Sequence, residues 1–153
     1  MPSERPQQGT IDAVAVADRL RPVLLKLSRE LRREARRLGV TAGQVSLLGV
    51  IKYRPGIGVN ELAELERITP AGMSTQVERL VRAGYVERTP SESDRRRVGL
   101  ALTEDGRRLL RRVRSRRTVW LAARLGKLTA PELAALATAV EPLALLLDEE
   151  ERP

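Results

Sequence analysis

Thr69-Pro70 at one end and Gly84 at the other bracket a single short helix, and this bracket constrains the chain more than any other feature. Threonine supplies a side-chain oxygen to the unpaired N–H groups of a first turn. Proline is pre-shaped for the first helical position, where its missing N–H costs nothing. Glycine readily takes the left-handed conformation that ends a helix. Between them Met73, Val77, Leu80 and Val81 predict a buried stripe. That spacing turns Ala71, Ser74, Thr75, Glu78 and Arg82 outward, with Gln76 and Arg79 at the flanks.

The neighbours of this helix narrow the fold further. Upstream, Asn60 is expected to cap a short helix carrying Leu62, Ala63 and Leu65 and closing near Arg67. Two short helices joined by a tight turn make a helix-turn-helix. Downstream, Tyr85 to Thr89 is strand-like, Pro90 to Asp94 is turn chemistry, and Val98, Leu100 and Leu102 alternate with Gly99 and Ala101. This predicts a hairpin whose tip carries Asp94-Arg95-Arg96-Arg97, which is a wing in the position where wings follow a recognition helix.

Long helices are expected on both sides. Val14, Ala17, Leu20, Leu24, Leu27, Leu31, Ala35 and Leu38 recur at threes and fours, predicting one amphipathic helix from Ala13 to Leu38, ended by Gly39. Thr41 with Gln44 forms a capping box that opens a second helix, stopped by Pro55-Gly56. Gly56-Ile57-Gly58 lacks the third glycine of a dinucleotide fingerprint and reads as a turn with a very short strand. Thr103, with Glu104 and Asp105 after it, starts a long helix to about Gly126. The box Thr129 to Glu132 opens a last one through Leu133, Leu136, Val140, Leu143 and Leu147, kinked at Pro142. The fold class is therefore mainly α with a small β-hairpin wing. The organisation is a flexible N-terminus over 1–12, support and dimerisation helices over 13–54, a winged helix-turn-helix over 55–103, and dimerisation helices over 104–153.

Composition decides between classes of function. The chain has neither Cys nor His, which removes disulfides, thiol nucleophiles, thiolate or imidazole metal sites and most general-base schemes, so no catalytic residue, cofactor or metal is expected. No apolar run is expected to approach the roughly 18 to 20 residues needed to cross a bilayer, and residues 1–9 are polar and Pro-rich; a soluble, cytoplasmic protein is expected. The net charge of +8 invites a polyanion. Its distribution qualifies that: residues 1–54 carry +6, residues 55–103 sum to zero and residues 104–153 carry +2.

The stretch from Val77 to Gly106 contains Leu80, then Gly84-Tyr85-Val86-Glu87-Arg88, then Asp94-Arg95-Arg96, then Leu102-Thr103-Glu104-Asp105-Gly106. This resembles the MarR family of bacterial regulators, whose wing reads Asp, any residue, Arg, before an alternating strand and a Leu-Thr-x-x-Gly helix start. The resemblance implies a homodimeric transcription regulator on a duplex DNA operator and, from the family alone, a small-molecule effector. It also implies that Arg96 inserts into the minor groove and that Asp94 orients it.

The residues support the same reading. Small and polar side chains suit a helix entering the roughly 12 Å major groove. Ala71, Ser74, Thr75 and Gln76 are candidates for the groove surface, with base edges assigned to the last three and phosphate to Arg79. Arg95, Arg96 and Arg97 are candidates for the minor groove or flanking phosphates. An ordinary solvated helix face and a hairpin kept soluble by charge remain open for these side chains. So does an architectural or RNA-binding winged protein that uses the seven arginines between Arg107 and Arg117. Tyr53, Tyr85 and Trp120, the only aromatics, are read as core or interface residues or as the lining of an effector pocket.

Overall fold

The computed structural model describes residues 11–90 and 98–148. The expected wing-tip residues Asp94, Arg95, Arg96 and Arg97 lie outside the described residues. The elements run α1 (Ala13–Arg36), α2 (Ala42–Tyr53), α3 (Val59–Leu65), α4 (Pro70–Arg82), β1 (Val86–Pro90), β2 (Val98–Leu102), α5 (Glu104–Leu125) and α6 (Ala130–Asp148). β1 and β2 form an antiparallel hairpin in the register Val86↔Leu102 to Pro90↔Val98, and Ile57 adds an isolated bridge to Leu100. Six helices around one small hairpin among the described residues confirm the expected class.

The capping chemistry explains most boundaries. Thr41 Oγ1 accepts from Gln44 N at 3.2 Å while Thr41 N donates to Gln44 Oε1 at 2.9 Å, completing the expected box at α2. Thr69 Oγ1 accepts from Gly72 N at 3.2 Å, with Pro70 in the first position of α4. Gly84 (φ +78) closes that helix: Gly84 N donates to Val81 O at 2.9 Å and Tyr85 N to Leu80 O at 3.0 Å, the paired bonds that satisfy the last carbonyls.

Three expectations need correction. α1 ends at Arg36 rather than Leu38, because Leu38 and Gly39 donate to Ala35 O and Arg36 O in tighter turns. Gly58, not Asn60, caps α3, without a side-chain bond. Leu62, fully buried, draws the helix start back so that its N–H reaches Gly58 O at 3.0 Å, and Asn60 becomes an exposed residue inside the first turn. Finally, the 18 residues Ala130–Leu147 are long and apolar enough to cross a membrane by length and composition. Glu132 and Glu141 interrupt the run of letters without cancelling its average hydropathy.

The core is wholly aliphatic. Leu47, Leu48 and Ile51 of α2 lie at its centre, joined by Leu62 and Ala63 of α3, Met73, Val77 and Leu80 of α4, Val86, Leu100 and Leu102 of the hairpin, and Leu109 and Val113 of α5. Each such Leu, Ile, Val or Met side chain contributes about 1.5–3 kcal/mol by burial. From α1 only Glu34 and Ala35 are buried, and α6 contributes nothing. The expected stripe of α1 is therefore uncovered over Val14, Leu24 and Leu27, as are Leu133, Leu136, Val140 and Leu147 of α6.

Glu34, 4 % exposed, holds α1 against α5. It accepts from Arg116 Nη2 at 3.0 Å and Arg37 Nη1 at 2.9 Å, and Arg117 Nε donates to Leu31 O at 3.2 Å. A carboxylate this far from water requires such partners.

Candidate nucleic-acid interface

α3 and α4 meet at a turn built without glycine. Arg67 takes φ 52 there, the only non-glycine in the left-handed region among the described residues. That bend lets Ile68 N reach Ala63 O at 3.0 Å and delivers Thr69 to cap α4. With Met73, Val77 and Leu80 fixed in the core, Ala71, Ser74, Thr75, Glu78, Arg79 and Arg82 are all exposed on the outer side of α4, and Gln76 is half-buried at its edge. The structure thus brings the sequence candidates of this helix together on one solvent face. Thr75 Oγ1 donates to Ala71 O at 3.1 Å, so its proton is engaged within the helix and its oxygen and methyl remain outward.

The Leu-Thr-x-x-Gly segment is the joint between this helix, the hairpin and α5. Thr103 Oγ1 accepts from Gly106 N at 3.0 Å and donates to Gly84 O at 2.6 Å, and Thr103 N donates to Tyr85 O at 3.1 Å. Gly106 is buried where a Cβ would stand 2.1 Å from Tyr85 O, so only glycine lets α5 seat there. Gly99 plays the same part in β2, where a Cβ would meet the Gly56 backbone at 2.5 Å. Glu104 accepts from Arg111 at 2.8 Å and Arg107 at 3.1 Å, and these bonds, Arg111's first, hold its carboxyl below the ordinary 4.5.

The arginines of α5 are largely engaged within the chain. Arg107 and Arg111 pair with Glu104, Arg108 with Asp105, Arg116 with Glu34, and Arg117 with the Leu31 carbonyl. The aromatics stand in three different settings. Tyr53 is exposed beside Lys52, Trp120 carries the Arg124 guanidinium 3.6 Å over its ring, and Tyr85 lines a cleft of about 290 Å³ with Ala83, Asp105, Arg108, Leu109 and Arg112. One feature escaped the sequence reading: Arg88 of β1 pairs with Glu78 of α4. The alternation of the strand was its signal, since Arg88 falls on the face of the buried Val86 and so points back at the helix.

A capped helix with a polar outer face, set behind a tight turn and followed by an antiparallel hairpin, defines a winged helix-turn-helix protein. A family model described as MarR family matches residues 38–97. An HTH-type transcriptional regulator of Mycobacterium bovis is 31 % identical over 134 residues, covering 88 % of this chain and 94 % of that protein. The HTH-type transcriptional repressor MdtR of Bacillus subtilis is 27 % identical, covering 87 % and 86 % respectively. A solved transcriptional regulator from Pseudomonas aeruginosa superimposes with a TM-score of 0.76 at 30 % identity, covering 90 % of this chain and 97 % of that one. The chain belongs to the MarR family, and it is a transcriptional regulator rather than an enzyme.

Proposed function

We propose that this protein is a repressor that binds a pseudo-palindromic duplex operator as a homodimer in the cytoplasm and responds to a small-molecule effector. In this reading α4 enters the major groove with Ala71 at the groove surface, Ser74, Thr75 and Gln76 at base edges and Arg79 on phosphate. The wing residues Arg95, Arg96 and Arg97 meet the minor groove or its phosphates, with Asp94 orienting Arg96. The polar outer face of α4, held at both ends by the Thr69 cap and the Gly84–Thr103 joint, supports this part.

The observation that carries the homodimer is the uncovered apolar surface at both ends of the chain. α6 is apolar on all sides, with Val140 62 % and Leu147 72 % exposed, and the first half of α1 presents Val14, Val23, Leu24 and Leu25 to solvent. A helix apolar all round needs cover on more than one side. A second copy covers both elements by a two-fold axis, placing the recognition helices about 34 Å apart, or about 10 bp, on the DNA. Light scattering at micromolar concentration should give twice the 17.0 kDa chain mass. A monomer that still binds a specific duplex contradicts this reading, as does partition of the protein into vesicles.

The cleft at Tyr85 is the proposed effector site. It adjoins the end of α4 and the first turns of α5, so a ligand there changes the angle between the reader and the dimerising helices. Loss of operator binding on adding a candidate ligand, abolished by Tyr85→Ala, is the expected result.

A further inference from the structure

Glu78 is an acid on the face of α4 assigned to DNA, one turn beyond Ser74 and Thr75. Left alone, a carboxylate there repels phosphate and weakens every DNA complex alike. It is not alone, because the Arg88 guanidinium of β1 reaches across the gap between hairpin and helix to pair with it. Arg88 can do so because it lies two residues after Val86, whose side chain is anchored in the core, and opposite Leu100, which is fully buried.

The pair occupies a particular place in the mechanics of the wing. A two-stranded hairpin has little stability of its own, so its angle to the rest of the molecule depends on where it is tied. Its base is tied by Val86, Leu100, Leu102 and the Ile57 bridge. At the outer ends of the two strands, the described residues Pro90 and Val98 are exposed. Among the described residues, Glu78–Arg88 is the side-chain hydrogen bond that joins the hairpin directly to α4.

We propose that Glu78 and Arg88 are positioning residues whose ion pair sets the angle of the wing against the recognition helix, so that the two engage adjacent grooves in one register. The pair thereby exchanges some affinity for all DNA for discrimination between sequences. Freed from Glu78, Arg88 becomes one more mobile cation, and the wing meets any duplex in many orientations. This inference rests on the DNA-binding reading above.

The test uses the full-length chain, a duplex selected from a random pool by the wild type, and a random-sequence duplex of equal length. Glu78→Gln, Arg88→Gln and the double variant are titrated on both. Both side chains are substantially exposed, so thermal midpoints should stay at the wild-type value. Each single variant should lower the ratio of operator to random affinity by about three- to fivefold, the upper part of an exposed charge pair's coupling. The double variant should fall no further than the worse single, since both remove the same tie. If the two residues act only as charges, Glu78→Gln strengthens and Arg88→Gln weakens both complexes in parallel. The ratio then stays constant and the proposal fails. A wild type that selects no discrete sequence overturns the underlying reading instead.

Discussion

Gly106→Ala puts one methyl group against a backbone that has no room for it. The added Cβ would stand 2.1 Å from Tyr85 O, against about 3.3 Å for a close carbon–oxygen contact, so one side must retreat by about 1.2 Å. Neither side is a flexible side chain. Tyr85 is fixed between the Gly84 turn and the buried Val86, and the first turn of α5 is held by Thr103. Overpacking of this kind costs about 1–3 kcal/mol. The displacement also stretches the 3.1 Å bond from Thr103 N to Tyr85 O and the 2.6 Å bond from Thr103 to Gly84 O, each worth about 1 kcal/mol. Alanine's higher helix propensity returns at most about 1 kcal/mol. The net expectation is a loss of about 2–3 kcal/mol, measured by urea unfolding followed by circular dichroism at fixed chain concentration. Gly43→Ala is the control: its Cβ meets nothing closer than 3.9 Å, and it should gain about 0.5–1 kcal/mol. A Gly106→Ala protein with the wild-type midpoint and slope would refute the account of the joint.

Arg67→Gly should stabilise the fold by about 0.5–1 kcal/mol, because it removes a left-handed strain of about 1–2 kcal/mol and gives back part of it in unfolded-chain entropy; thermal melting checks this. Arg116→Ala leaves the buried Glu34 with Arg37 as its partner and should cost about 2 kcal/mol, below the 3–5 kcal/mol of an uncompensated buried charge, whereas Glu34→Gln should cost less in the same assay. Arg96→Ala should weaken binding to all duplexes by about 1–3 kcal/mol and make the slope of log affinity against log salt shallower by about one. Thr75→Ala should reorder operator variants with little change in that slope, since base-edge contacts release few counterions.

What could be read in advance was set by local chemistry. Thr41-x-x-Gln44, Thr69-Pro70 and Gly84 each satisfy backbone groups within a few residues of themselves, so the second helix and the recognition helix emerged with their boundaries. The hairpin followed from the alternation of Val98, Leu100 and Leu102. Where a distant partner decided the outcome, the sequence was silent. Asn60 looked like the better cap, but the demand for Leu62 in the core moved the helix start to Gly58. Glu34 and Arg116, 82 residues apart, and Glu78 and Arg88 across two elements, belong to no periodic pattern. Gly106 was conspicuous as part of a motif, but its reason, the approach of Tyr85 O, exists only in three dimensions. The outer face of α4 was legible because the buried stripe of the same helix defines it, while the wing-tip arginines lie outside the described residues.

On the proposed reading, this chain recognises a discrete DNA sequence with two copies of α4. Selection of bound duplexes from a random pool by the full-length wild type, followed by footprinting of the winner, tests it most directly. The expected result is a pseudo-palindrome with two protected half-sites centred about 10 bp apart. Enrichment of no sequence, with uniform coating of the duplex that fades with salt, would contradict it and shift the polyanion surface to the arginines of α5.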